Sequence, residues 1–190
     1  MNIHEAIRTR RSIGKVTQEP IDKAVIEQIL EAGIYAPNHR LTEPWRFFVL
    51  RGDGRKQLGD ALARIALAGE ADPASPENAL KAESAIKKAF RAPVIIAVAV
   101  SPAERHDIIE LEEYGAVNAA IQNMLLTIHA LGLGAVWRSG EPCYHPLMNE
   151  SFGLRPQDKM LGFIYLGVPD MAAPQAKRAA AELKTTWIDG

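Results

Sequence analysis

Two guanidiniums and a hydroxyl stand side by side at Arg10-Arg11-Ser12. Arginine grips phosphate in a planar, two-pronged fork, and serine adds a neutral donor. The triplet therefore suits an anion with ester oxygens. It also suits a solvated helix end, where cations are favourable and serine opens a turn. A second donor group, Trp137-Arg138-Ser139-Gly140, follows a short apolar run far downstream. Ligand clefts of layered folds open at such strand ends, and Gly140 has no side chain to keep a ligand from the backbone amides. An ordinary strand-end turn is the competing reading. Together the two clusters suggest one phosphate-bearing cofactor held from two distant points.

A third group lies in Pro37-Asn38-His39-Arg40-Leu41-Thr42-Glu43-Pro44-Trp45, rich in donors and acceptors and pinned by two prolines. Loops between rigid elements often carry binding groups. The bland alternative is a turn with a surface histidine and Trp45 as a core plug. Cys143, Tyr144 and His145 have no metal-ligand spacing, and a lone cysteine is usually a small buried hydrophobe. Glu110, Glu112 and Glu113 are expected to face solvent. Gly132-Leu133-Gly134 lacks the third glycine of a dinucleotide loop and follows a helix rather than a strand. No hydrolase elbow or Walker loop is visible.

The elements that must position these groups follow from periodicity. Helices are expected over 4–9, over 20–32 with Gly33 as a stop, over 56–69 and over 78–90. Strands are expected over 45–50, 94–100, 134–137 and 159–167; 94–100 is apolar throughout, as in a strand buried on both faces. The longest helix spans 108–131, about 36 Å at ~1.5 Å per residue. A helical turn or two is expected over 146–152. Residues 70–78, with two prolines, read as a surface loop and a candidate for disorder. The tail from 168 is too polar for core but ends near Trp187, so it is expected to dock, on a partner subunit for example. The pattern predicts an α+β fold with one small central sheet, in a single domain over 1–190.

Composition narrows the function. The 190 residues are 47% hydrophobic, enough for a sizeable core. With 22 basic and 23 acidic residues, the chain lacks the basic excess of a nucleic-acid or membrane-surface binder. The polar groups between Ile108 and Leu131 argue against a bilayer span. The single cysteine excludes an intrachain disulfide and suits a reducing compartment, so a cytoplasmic location is expected.

In order and spacing, RRS, APNHRLTEPWRFFVL, FRAPVIIAV, the long helix, GLGAVWRSG and DKMLGFIYLGVP resemble the flavin-dependent nitroreductase family, in its compact members. The resemblance implies a small, mainly antiparallel sheet flanked by helices, one long central helix, and a homodimer that exchanges C-terminal segments and holds FMN at its interface. It assigns Arg10, Arg11 and Ser12 to the FMN phosphate and ribityl chain. His39, Thr42 and Glu43 fall in a loop that reaches the partner's flavin, and Trp137, Arg138 and Ser139 lie near phosphate and ring. It implies ping-pong transfer from NADH or NADPH to a nitroaromatic, quinone or activated alkene. No side chain is nominated as catalytic, since flavin N5 carries the hydride. A non-catalytic FMN-storage or regulatory dimer is the alternative. Two positions depart from the family pattern: Glu43 replaces a common glutamine, and Gly14 replaces a common lysine, with Lys15 next to it.

Overall fold

Val94–Val100, apolar at every position, is buried at every position, one strand in from the sheet edge. The computed structural model describes residues 1–190. Its four strands are β1 (Trp45–Arg51), β2 (Val94–Val100), β3 (Gly134–Arg138) and β4 (Lys159–Gly167). They form one sheet in the order β1-β2-β4-β3, antiparallel at every pairing. The helices are α1 (Ile3–Thr9), α2 (Lys23–Ile34), α3 (Arg55–Ala66), α4 (Pro76–Lys87), α5 (Glu110–Ala130), α6 (Glu141–Tyr144) and α7 (Pro146–Ser151).

Alternation along β2 and β4 divides the core in two. Val94, Ile96, Val98, Val100, Ile164 and Leu166 join one layer with α2 and α5; Ile95, Ala97, Ala99, Phe163 and Tyr165 join another with α3 and Phe152. The stripe on α5 runs Val117, Ala120, Ile121, Met124 and Ile128, each at most 1% exposed. That spacing holds one helical face against the sheet. Gly33 does not stop α2. The helix continues through Ile34, and Gly33 marks where α2 meets α5: a Cβ there would lie 3.1 Å from Met124 Cγ. Residues 70–75 form a hydrogen-bonded turn, closed where Asn78 Nδ2 donates to the Asp72 carbonyl at 2.9 Å; Ser75 then caps α4.

Two features shape the sheet's site end. The β2–β4 register shifts at Val98/Ala99, opposite Gly162, which has φ 146°. A Cβ at Gly162 would overlap the Trp137 indole and lie 2.6 Å from the Arg138 carbonyl. Glycine there lets the end of β3 close down on β4, with Trp137 Nε1 donating to the Leu161 carbonyl at 3.2 Å. Just beyond that end of β2 and β4, Arg155 ties together the loop after β2. Its guanidinium reaches Ser101 Oγ and the Pro102 carbonyl, both at 2.9 Å, and buried Asp158 at 2.9 Å.

Burial pushes the Asp158 carboxyl up. Hydrogen bonds from the Arg155 side chain and backbone and from Ser101, with the Arg155 charge, outweigh this and hold it below the ordinary aspartate value. A depressed folded value means the carboxylate stabilises the fold above the unfolded value of about 3.9. That contribution is lost as pH falls through the folded value. In urea unfolding, the wild type will therefore lose stability more steeply than Asp158→Asn as pH falls below about 4, and Asp158→Asn will be weaker at neutral pH. Parallel pH profiles for the two proteins would contradict this assignment.

Candidate functional site

Backbone pairing brings the two arginine clusters together. After α1 the chain runs extended along the free edge of β3. Ile13 N–H donates to the Ala135 carbonyl at 2.8 Å, Thr17 N–H to Val168 at 2.9 Å, and Val16 bridges Pro169. Small residues permit this approach, since a Cβ on Gly134 would lie 2.8 Å from Ile13. Arg10-Arg11-Ser12 is thus placed beside the strand that ends in Trp137-Arg138-Ser139. Residues 125 positions apart share one edge, and a Cβ on Gly14 would lie 3.7 Å from the Arg138 guanidinium.

These cations have no carboxylate partners. Arg10, Arg11 and Arg138 take part in none of the chain's ion pairs. Arg11 Nη1 donates to the Arg10 carbonyl at 2.6 Å, and the Arg138 guanidinium lies over the Tyr165 ring, 5.6 Å from its centre. Partial burial, then the charges of Arg11 and Arg178, hold the Arg10 guanidinium below the ordinary arginine value. Two buried side-chain nitrogens in the whole chain lack a hydrogen-bond partner: Arg11 Nε and Arg138 Nε. Leaving such a donor unmatched costs about 1–3 kcal/mol, and more for a charged group. The chemistry of this donor set fits a phosphorylated ligand.

Beside Arg138 lies a cleft of about 470 Å³. Val136, Trp137, Phe163 and Tyr165 give it an apolar, aromatic lining, and Lys88, Arg91, Arg138 and Ser139 supply polar groups. Burial raises the Tyr165 phenol pKa, with the charges of Arg138 and Arg91 opposing it, so the ring stays neutral. Cys143 also lines the cleft. Burial, then the charge of Glu141, pushes its thiol up to about 11. It is no thiolate nucleophile at neutral pH.

Lys88, Arg91 and Arg178 are absent from the groups singled out by sequence. The first two close the α4 segment and enter the cleft on the α3 side of the sheet; Arg178 comes from the tail. Lys15 turns away: its ammonium pairs with Asp170 at 2.8 Å on the surface. No group of three or more His, Cys, Asp or Glu is arranged to hold a metal ion.

His39, Thr42 and Glu43 lie elsewhere. No hydrogen bond or ion pair links them to either arginine cluster. His39 Nδ1 contacts Glu112, Thr42 Oγ1 donates to Glu113 Oε1 at 2.6 Å, and Asn38 Oδ1 accepts the Glu43 N–H at 3.1 Å. The Glu43 carboxylate is exposed, and Trp45 is core, 7% exposed. Arg40, Leu41 and Glu43 have φ values of 59°, 51° and 48°. Non-glycine residues there are strained by about 1–2 kcal/mol each. The expectation that all three glutamates of α5 face solvent is corrected: Glu113 is 1% exposed. The apolar stripe continues one turn backward, from 116 and 117 to 113, and carries it inside.

The model of the Nitroreductase family matches residues 7–168. YdjA of Escherichia coli, named as an NAD(P)H nitroreductase, is 35% identical over 91% of both chains. YfhC of Bacillus subtilis, similarly named, is 34% identical over 93% of this chain and 88% of its own. A Nitroreductase-like Family Protein from Bacillus cereus superposes with a TM-score of 0.87 at 30% identity, covering 100% of this chain and 97% of its own. A Desulfovibrio desulfuricans structure, named as a nitroreductase in complex with FMN, gives a TM-score of 0.70 at 33% identity, over 96% and 95%. The matched span takes in Arg10-Arg11-Ser12 and Trp137-Arg138-Ser139 within one continuous alignment, and this chain belongs to the nitroreductase family.

Proposed function

We propose that this chain is an FMN-dependent oxidoreductase. It takes reducing equivalents from NADH or NADPH and passes them, one partner after the other, to a nitroaromatic, quinone or activated alkene. The observation that carries the reading is the pair of buried, unpartnered Nε donors on Arg11 and Arg138, on two clusters brought to one sheet edge. Arg10, Arg11 and Arg178 would hold the phosphate, with the Ser12 hydroxyl as a neutral donor. Trp137, Arg138 and Ser139 would flank the ring in the aromatic cleft. When bound, FMN supplies the two-electron chemistry, which no side chain of this protein provides.

The protein's own part is binding, orientation and charge. Lys88, Arg91 and Arg138 put positive charge on one cleft, which favours whichever form of a ligand is richer in electrons. The raised Tyr165 and Cys143 values keep both groups neutral, so no anion competes with the ligand.

The working unit in this reading is a homodimer. His39, Thr42 and Glu43 have no hydrogen bond or ion pair to the chain's own clusters and would serve the partner's cofactor. The tail after Val168 is exposed throughout, with Trp187 at 81% and Ile188 at 92%. Side chains of that size favour burial by about 1.5–3 kcal/mol each. A second copy that exchanges the tail would cover them. No helix is long and apolar enough to cross a membrane.

Three outcomes test the reading. Purified protein will carry a visible flavin band, which anaerobic NADH or NADPH will bleach and an added quinone or nitroaromatic will restore. A flavin that neither donor bleaches would leave the non-catalytic flavin-binding dimer instead. Arg11→Ala and Arg138→Ala will each weaken FMN binding about ten- to a hundredfold, the worth of a charge-assisted hydrogen bond. Undiminished affinity in both would remove the two arginines from the site. Sedimentation will give a dimer that truncation after Val168 weakens; a monomer that retains FMN would sink the shared-interface arrangement.

A further inference from the structure

Glu113 is a buried carboxylate without a cation. It sits in the first turn of α5, takes part in no ion pair, and is 1% exposed. Each of its oxygens accepts one hydrogen bond. Oε1 takes the Thr42 hydroxyl at 2.6 Å, and Oε2 takes the Ala103 N–H at 3.3 Å. The helix N-terminus adds favourable partial charge. An ionisable group placed this way joins segments rather than charges: residues 38–43 on one side and the loop after β2 on the other. That second loop is itself fixed by Arg155, which reaches Ser101, Pro102 and Glu104.

The loop at 38–43 needs an anchor. Three of its residues hold left-handed backbone conformations without being glycine, and Leu41 is 83% exposed. Strain of this kind persists only where the surroundings over-determine it. The other side-chain ties to the rest of the fold lie in solvent: His39 with Glu112, both about half-exposed, Arg40 with Asp107 at 3.7 Å, and Arg46 Nη1, which donates to the Glu43 carbonyl at 3.4 Å. Exposed pairs contribute little. The Thr42–Glu113 bond is the half-buried one.

We propose that Glu113 is the positioning residue of this loop: through Thr42 it holds 38–43 in its strained course and so presents His39 and Glu43 to the cofactor site. The link to the cofactor rests on the dimeric reading above; the anchoring does not. Glu113 touches no reacting atom. Its effect on the loop is transmitted by one hydrogen bond, which leucine, of similar size but without a polar atom, cannot make; glutamine could keep both contacts, accepting the Ala103 N–H and donating to Thr42 Oγ1.

The test is hydrogen exchange by mass spectrometry on the purified, flavin-loaded full chain. The variants are Glu113→Leu, Thr42→Val, the double variant and Thr42→Ser. Amides in 38–44 will exchange about tenfold faster or more in Glu113→Leu and Thr42→Val. The double variant will be no faster in 38–44 than Glu113→Leu, because the same bond to the loop is lost in each. Thr42→Ser, which keeps the hydroxyl, will match the wild type, and peptides from β2 and β4 will not change. Unchanged exchange in 38–44, acceleration spread equally over β2 and β4, or additive effects in the double variant would each overturn the anchoring. If Glu113→Leu does not fold, Thr42→Val against Thr42→Ser carries the same comparison from the loop side. FMN release from the same samples separates the two readings. Faster release with a loosened loop supports the whole proposal. Unchanged release with a loosened loop overturns the loop's role at the cofactor and leaves the anchoring in place.

Discussion

Like charges held together without a counter-charge are the constraint on which this structure turns. Arg10, Arg11 and Arg178 lie close enough for the first to feel the other two, and Arg138 stands across the β3 edge. Like charges near one another repel, and partial burial weakens the screening by water. Relaxation would let the side chains swing into water. They are kept in place by backbone: the Ile13–Ala135 hydrogen bond, the Val16–Pro169 bridge and the close approach at Gly134 are all indifferent to charge. The sheet therefore stores an electrostatic debt at its edge that an anion would relieve.

The rest of the fold serves that edge. The double-sided burial of β2 makes the sheet rigid, and α5 packs the length of one face. The irregularity at Gly162 lets Trp137 and Arg138 settle over β4, so that a strand end becomes one wall of a cleft. On the other face, α3 and the turn after α4 bring Leu62, Lys88 and Arg91 to the opposite wall. Apolar layers set the distances, and a handful of cations supply the chemistry.

Much of this was legible from residue order. The strands at 45–50, 94–100, 134–137 and 159–167 each recur within one residue at either end, because composition and turn residues mark them locally. The pairing of Arg10-Arg11-Ser12 with Trp137-Arg138-Ser139 was suggested by residue type and met by topology. Gly33 was misread because a glycine that ends a helix and one that lets two helices touch look alike until the neighbour, Met124, is known. Glu113 was hidden by its company: beside Glu110 and Glu112 it looks solvated, although its spacing from Ala116, Val117 and Ala120 already placed it on the buried face. Lys88, Arg91 and Arg178 carried no local signal, since each is one cation among many until the fold brings it to the cleft.

The loop at 38–43 and the tail after Val168 show opposite solutions to the same problem. Both are irregular, and both present groups away from the chain's own core. The loop is held at the cost of strained backbone, by side chains reaching out from α5. The tail has almost no such ties: beyond the Lys15–Asp170 pair, its hydrogen bonds stay within the segment. Yet the tail carries Leu183, Trp187 and Ile188, all more than 70% exposed, and Arg178, whose charge with that of Arg11 reaches Arg10. A segment whose largest apolar groups stay exposed on its own chain gains little from a fixed course there. The apolar area that would fix it must come from another surface. In the proposed dimer, Arg178 would make the anion site depend on that docking, because this cation reaches Arg10 from the tail.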